Sequence, residues 1–255
     1  MYRLLKKRLN RILTVLTLIT AFAVCGSVGN AVAGSAQWQS SNIQYLYGNN
    51  FKLGDKTRST ITFEHANGWK YGDNFFFVDI GNADRSGNTT QTNLYAEFSP
   101  RLSLGKITGK DLSFGFVKDI LLAGTLEAGE GFHNQLYGVG FSLDLPKFAF
   151  FELNIYVRDN LNQDGTTYQI TPVWALPFSV GKVKLLFEGF VDYAGKEGTA
   201  VANFDAQPRL LVDVGNFWGA PDSLYAGTEY IHWHNKFGVD GVDERVFQGM
   251  LKWVF

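Results

Sequence analysis

Apolar and polar residues alternate along most of this chain, and that period of two leaves few folds open to it. Between Asn93 and Leu104, the residues Leu94, Ala96, Phe98, Leu102 and Leu104 alternate with Tyr95, Glu97, Ser99, Arg101 and Ser103. From Phe151 to Arg158, Phe151, Leu153, Ile155 and Val157 alternate with Glu152, Asn154, Tyr156 and Arg158. Val183, Leu185, Phe187, Val191 and Tyr193 are interleaved with Lys184, Glu188 and Asp192, and Phe204, Ala206, Leu210, Val212 and Val214 with Asp205, Gln207, Arg209 and Asp213. Residues two apart on an extended strand share a face, so each segment is a strand with one apolar and one charged side. No helical periodicity lasts. Turn residues divide the chain into twelve strands, near 41–48, 57–66, 74–82, 92–104, 112–126, 134–145, 150–159, 166–176, 183–194, 203–214, 223–234 and 244–255.

A soluble antiparallel sandwich alternates in the same way, but three features favour a membrane barrel. The last residues, Phe247, Gly249, Leu251, Trp253 and Phe255, alternate out to a terminal aromatic carboxylate, as bacterial outer-membrane barrels commonly do. Aromatics sit near the ends of apolar faces, at Trp174, Tyr193, Phe204 and Trp253, where an interfacial girdle belongs. The connections also alternate in character. Those near 49–56, 82–91, 127–133, 160–165, 195–202 and 235–243 are rich in Gly, Asn and Asp; those near 67–73, 105–111, 146–149, 177–182 and 215–222 carry Lys, Pro and Trp. Six loops and five turns are what twelve strands need when both chain ends face the periplasm. Lipid satisfies no backbone N–H or C=O, so a sheet in a membrane must close, and about 9–11 residues per tilted strand suffice to cross. The expected fold class is all-β, a twelve-stranded antiparallel transmembrane β-barrel.

Composition agrees. Aromatics make up 15% of the 255 residues, too many for a disordered chain. A single Cys supports no disulfide scaffold, and no repeated apolar runs of helical-span length occur. The N-terminus is expected to be a signal peptide over residues 1–33: basic Arg3, Lys6, Lys7, Arg8 and Arg11, an apolar run from Ile12 to Cys25, then the small-x-small site Ala31-Val32-Ala33. A transmembrane anchor would need a longer apolar core, and Val24 before Cys25 argues against a lipoprotein. Removing those five basic residues and no acidic ones turns the formal charge of -1 into -6 for residues 34–255, the barrel domain. An exported acidic chain has no electrostatic basis for binding nucleic acid. The expected location is the outer membrane of a Gram-negative bacterium.

With apolar faces turned to lipid, the lumen receives Glu64, Phe75, Phe77, Asp79, Tyr95, Glu97, Arg101, Glu152, Tyr156, Arg158, Glu188, Phe190, Asp192, Asp205, Arg209 and Asp213. One reading is that these are paired charges filling a closed interior. Twelve strands, however, enclose more space than eight, and a water-filled passage is expected. Mixed charge with interleaved rings suits an uncharged polar ligand with a flat ring: Phe75, Phe77, Tyr95, Tyr156 and Phe190 would stack on it. Glu97, Arg101, Glu152, Arg158, Glu188, Asp192, Asp205, Arg209 and Asp213 would contact hydroxyls, ring nitrogens and each other. Sugars would be read by similar groups.

Several stretches carry a family resemblance. Glu97-Phe-Ser-Pro-Arg101, then Asp111-Leu-Ser-Phe-Gly115 and Lys118-Asp119, resemble the most recognisable segment of the Tsx-like nucleoside-specific channel-forming outer-membrane proteins. Leu136-Tyr-Gly-Val-Gly140 with Asp144, Leu153-Asn-Ile-Tyr-Val-Arg158, Thr167-Tyr-Gln-Ile-Thr-Pro-Val-Trp174 and His232-Trp-His-Asn-Lys-Phe-Gly238 are similar to later strands of that family. The resemblance runs in order from about residue 40 to 255 and is weakest in the first four strands and the loops. It implies a twelve-stranded barrel that passes nucleosides, with phage or colicin as partners of the loops in some members.

Other motifs carry less. His232 and His234 share a strand face but have no evident third metal ligand, so no metal or cofactor is expected. The register there turns on Glu229: placing it in the lumen brings Trp233 in and leaves His232 outside, unless a bulge near Thr228 reverses both. No nucleophile elbow appears. Pro100, Pro172 and Pro208 each remove a ladder donor and should mark a bulge or a local break. The expected function is passive passage of nucleosides through weak sequential sites. A general or sugar-selective porin is the alternative, and an outer-membrane lipid hydrolase a more distant one.

Overall fold

The computed structural model describes residues 36–82 and 93–255; the expected signal peptide and most of the 82–91 loop lie outside these residues. From Gln37 to Phe255 the chain is one compact unit. The strands are β1 (Ala36–Asn49), β2 (Thr57–Trp69), β3 (Gly72–Gly81), β4 (Asn93–Ser103), β5 (Val117–Gly129), β6 (Phe132–Leu143), β7 (Phe150–Asn160), β8 (Thr167–Val180), β9 (Val183–Ala194), β10 (Asn203–Ala206), β11 (Arg209–Asp213), β12 (Leu224–His234) and β13 (Glu244–Val254). Each pairs antiparallel with its neighbour, and β1 pairs β13 from Asn42↔Val254 to Gly48↔Gln248, which closes the sheet. β10 and β11 are the two halves of one crossing, since both pair with β9 and with β12 in one unbroken register. The barrel therefore has twelve antiparallel crossings.

Closure explains the alternation. On β1 the even residues Asn42, Gln44 and Leu46 are buried while Ile43, Tyr45 and Tyr47 are exposed; on β13, Glu244, Val246, Gln248, Met250 and Lys252 are buried while Phe247, Leu251 and Trp253 are exposed. A soluble fold does the reverse. Here the apolar residues face outward into lipid and the polar ones line the interior. The lipid face is continuous across strands: Leu102, Leu122 and Val139 are in-register neighbours on β4, β5 and β6, and all three are exposed. Ring pairs such as Tyr168–Tyr193 (5.9 Å) and Trp253–Phe255 (5.4 Å) lie on the same outer face.

Two connections differ from expectation. The 127–133 loop is only a turn at Glu130-Gly131, with Gly131 at φ 87°. The 105–111 turn is instead the long link 104–116, and β5 begins at Val117 rather than near 112. That link carries a short helix, α1 (Leu104–Thr108), which Ser103 caps by accepting from the Lys106 N–H and which Gly109 ends at φ 66°. Ser103 also donates to Asp119, and Asp119 accepts from the Gly105 N–H. Five residues of helix are too few for a periodic signal.

The prolines break the ladder locally without shifting register. Pro208 separates β10 from β11. Pro100 pairs with Asn74 of β3, but the β4–β5 ladder skips from Phe98 to Arg101. Pro172 pairs with Leu153 of β7, but the β8–β9 ladder skips from Ile170 to Val173. The register shift among the described ladders falls elsewhere, between Val117 and Asp119.

Candidate functional site

Strand pairing puts every one of the expected lumen residues on the inner face. Glu64 opposes Phe77, which opposes Glu97; Asp79 opposes Tyr95; Phe75 opposes Ser99. Tyr156 opposes Gln169, Phe190 opposes Val173, and Asp192 opposes Asp205. β12 has no bulge near Thr228, since its pairs with β13 run unbroken from Leu224↔Trp253 to Trp233↔Glu244. Glu229 is therefore inside with Trp233, and His232 faces outward between the rings of Phe204 and Tyr230.

The inner charges fall into separate groups. Arg209 on β11 donates through Nε to Glu229 (2.7 Å) and through Nη1 to Glu64 (3.1 Å), with Glu188 at 3.8 Å. Glu188 also accepts from Lys252 Nζ (2.6 Å), and Gln248 donates to Glu229 (2.8 Å). The Glu64 contact runs from β11 to β2 and so crosses the interior. Arg101 on β4 forms a fork with both oxygens of Asp73 (2.8 and 3.0 Å) and reaches Glu152 on β7 (2.8 Å), itself held by Ser142 (3.0 Å). Arg158 pairs with Glu197 (2.7 Å), whose other oxygen accepts from the Asn160 N–H (2.6 Å). These pairs and forks are hydrogen-bonded on several sides, as buried charges must be.

A second lining is aromatic and neutral. The rings of Phe75 and Phe77 are 5.7 Å apart and those of Phe77 and Tyr95 are 5.4 Å apart, all tilted. Beside them runs a hydroxyl and carboxylate line. Tyr95 and Ser99 donate to Glu97 (3.4 and 2.6 Å), Ser99 is 2.9 Å from Thr125, and Thr125 is 3.4 Å from the Tyr156 hydroxyl. Tyr156 itself is covered, packed with Ala123 and Leu136. Asp213 accepts from the Asn216 and Asp222 N–H groups and so holds the turn after β11.

Sequence reasoning left out several lumen participants. Asp73, Glu127, Lys252 and Gln248 follow from strand parity, which places them with their inward neighbours. Glu197 and Lys236 come from connections: Glu197 is buried under the 195–202 loop, and Lys236 is buried, bonded to Glu244 and 4.4 Å above the Trp233 ring. The 195–202 and 235–243 loops are tied together by Val201 N–H to Gly238 (2.9 Å) and Asn235 to Ala202 (3.0 Å). Parity does not reach into loops, so no sequence signal marks these two residues. Among the described residues no group of acidic, His or Cys side chains could hold a metal ion.

Comparison with known proteins agrees with this geometry. The family model described as "Nucleoside-specific channel-forming protein, Tsx" matches residues 33–250. Two proteins named outer membrane protein OmpK, from Vibrio parahaemolyticus, are 30% identical over 132 residues and 31% identical over 136. Each match covers 48% of this chain, and 49% and 51% of the respective relative, so the chain spans about half the length of the curated relatives it matches. Among solved structures, the KdgM porin superposes with a TM-score of 0.51 at 9% identity, over 85% of this chain and 99% of that one. That porin in complex with disordered oligogalacturonate gives 0.50 at 9% identity, over 84% and 99%. At this identity the likeness is one of fold.

Proposed function

The chain belongs to the family of nucleoside-specific channel-forming proteins, Tsx, and from that premise we propose that the solutes it passes are nucleosides. It is an outer-membrane channel and not an enzyme. The observation that carries the nucleoside reading is the run of rings Phe75, Phe77 and Tyr95 beside the acceptors and hydroxyls of Glu97, Ser99 and Thr125. A base has a flat face to slide over the rings, and its ribose has hydroxyls for the polar line. Stacking of a base on one ring is worth about 1–3 kcal/mol, weak enough for release at each step, which conduction requires. In this reading Phe75, Phe77 and Tyr95 do the stacking and Phe190 adds a further ring. Glu97, Asp192, Asp205 and the arginine groups contact hydroxyls and ring nitrogens. Tyr156 acts through its hydroxyl rather than its covered ring, and Asp213 acts by fixing its turn. A phage or colicin would engage the six-loop rim.

The test is current block in a planar lipid bilayer. Adenosine or thymidine reduces single-channel conductance in the micromolar-to-millimolar range, and a linear oligosaccharide does not. Phe77→Ala weakens the block roughly fivefold or more, the equivalent of losing one stacking contact. A channel that no nucleoside blocks would be a general pore, and the reading would fall.

A further inference from the structure

Among the described residues five lumen carboxylates on strands form no ion pair and accept no backbone N–H bond from a turn: Asp79, which accepts from Thr62 (2.5 Å), and two facing pairs. Glu97 and Glu127 are direct cross-strand partners on β4 and β5, and Asp192 and Asp205 on β9 and β10. The pairs also act on each other: Glu97 lies within electrostatic reach of Glu127 and Asp192, and Asp205 of Asp192. Like charges set opposite one another on adjacent strands repel, and this barrel does so twice around one stretch of lumen. The hydrogen bonds made to these groups come from neutral donors. Ser99 and Tyr95 serve Glu97, Asn134 serves Glu127, Thr171 (2.5 Å) and Gln169 (3.0 Å) serve Asp192, and Gln207 (2.9 Å) serves Asp205. Arg158, ion-paired with Glu197, and Lys236, ion-paired with Glu244, act on this group only at longer range, Arg158 on Glu127 and Asp192 and Lys236 on Asp205.

Two further oxygens point the same way. Asp205 Oδ1 and Asn134 Oδ1 accept no hydrogen bond among the described residues, although the two side chains are only 5% and 3% exposed. The Asn134 amide is turned toward Glu127, which leaves its carbonyl oxygen on the inner face beside the acidic quartet. A buried acceptor without a donor is costly, and here carboxylate and carbonyl oxygens outnumber the donors that serve them, which a nearby cation would offset. The quartet lies toward the six-loop rim: Glu127 and Asp192 are each two residues from the upper end of their strands.

We propose that Glu97, Glu127, Asp192 and Asp205 make this stretch of the lumen pass small monovalent cations in preference to anions. Rings of acidic side chains produce this selectivity in other channels. The described residues offer no metal-holding cluster, so the ions are in transit rather than resident. By Coulomb's law one uncompensated carboxylate about 4 Å away in water draws a cation in about fivefold and holds an anion off about fivefold, a bias of up to about thirtyfold that salt screening lowers toward about ten.

The experiment is the reversal potential of the purified channel in a planar bilayer across a tenfold KCl gradient at pH 8, with no nucleoside present. The expected K+ to Cl- permeability ratio is about ten. Asp192→Asn with Asp205→Asn, and separately Glu97→Gln with Glu127→Gln, each lower the ratio, and all four substitutions together bring it close to one. If a double variant does not insert, Asp205→Asn alone relieves one repelling pair and is measured in its place. A wild-type ratio at or below one, as protons shared within each pair would give, overturns the proposal, and so does a ratio that the variants leave unchanged. Because no nucleoside takes part, either result leaves the nucleoside block to stand or fall separately.

Discussion

At the scale of single residues, Arg209 concentrates the most electrostatic commitment. It is the common partner of Glu64, Glu188 and Glu229, and Lys252 adds a second cation at Glu188. Removing one member of a buried ionic network leaves charges uncompensated and costs about 3–5 kcal/mol. Arg209→Met should therefore lower unfolding free energy in phospholipid vesicles by about that amount, measured by urea titration, and adding Glu64→Gln and Glu229→Gln should recover a large part of it. A milder effect belongs to the exposed rim. The Asn235 backbone N–H, and then the His234 side chain, hold the Asp243 carboxyl below its ordinary 3.8. A carboxyl lowered on folding adds stability above its unfolded value and loses it as pH falls through the folded one. Hydrogen-exchange protection of the Asn235 amide should be intact at pH 5 and decline below about 3.8. Protection that persists to pH 2 would show that Asp243 does not hold the loop.

At the scale of elements, the prolines mattered more than the strand edges. Pro208 cuts one crossing in two, and the ladder rejoins in the same register on both sides because Gln207 N–H still reaches Phe190 (3.1 Å) and the Pro208 carbonyl accepts from Tyr230 N–H (2.9 Å). The break brings its backbone against β9 at Gly189, which has φ 153°; a Cβ there would lie 2.6 Å from the Gln207 oxygen and 2.9 Å from Pro208 Cα. Gly189→Ala should destabilise the barrel by about 1–3 kcal/mol through clash and backbone strain, read as a lower urea midpoint; an unchanged midpoint would mean that the strand pair relaxes freely. Ser103→Ala removes the cap of α1 and should cost about 1 kcal/mol. The breaks at Pro100, Pro172 and Pro208 were legible in the sequence, because a missing N–H is a property of the residue itself. The close approach to Gly189 was not, since it depends on which strands become neighbours.

At the scale of the whole molecule, the outer surface and the lumen answer to different solvents. Leu122 is 50% exposed in the middle of β5, between Leu102 and Val139. Leu122→Arg would set a charge in hydrocarbon and should cost roughly 2–4 kcal/mol if the site lies near the bilayer midplane, by vesicle unfolding; a cost near zero would place Leu122 outside the bilayer. Pairing of β1 with β13 closes the sheet among the described residues, which is the condition for a sheet to exist in lipid at all. The inner face is then isolated from lipid, and charges can be gathered there that a soluble core of this size would not hold.

The sequence by itself determined the number of crossings, the side of each strand that faces in, and hence the lumen residues on strands. These are local properties, fixed by a two-residue period and by turn chemistry, and they survive whatever the strands pair with. Tertiary structure decided who meets whom across the lumen. Arg209 reaches Glu64 from β11 to β2, Arg101 reaches Glu152 from β4 to β7, and Arg158 takes Glu197 from a loop. It also left Glu97, Glu127, Asp192 and Asp205 without such partners among the described residues. Parity places a charge on the inner wall, but only barrel closure, with its curvature and stagger, brings distant walls close enough for a charge to be neutralised or left bare.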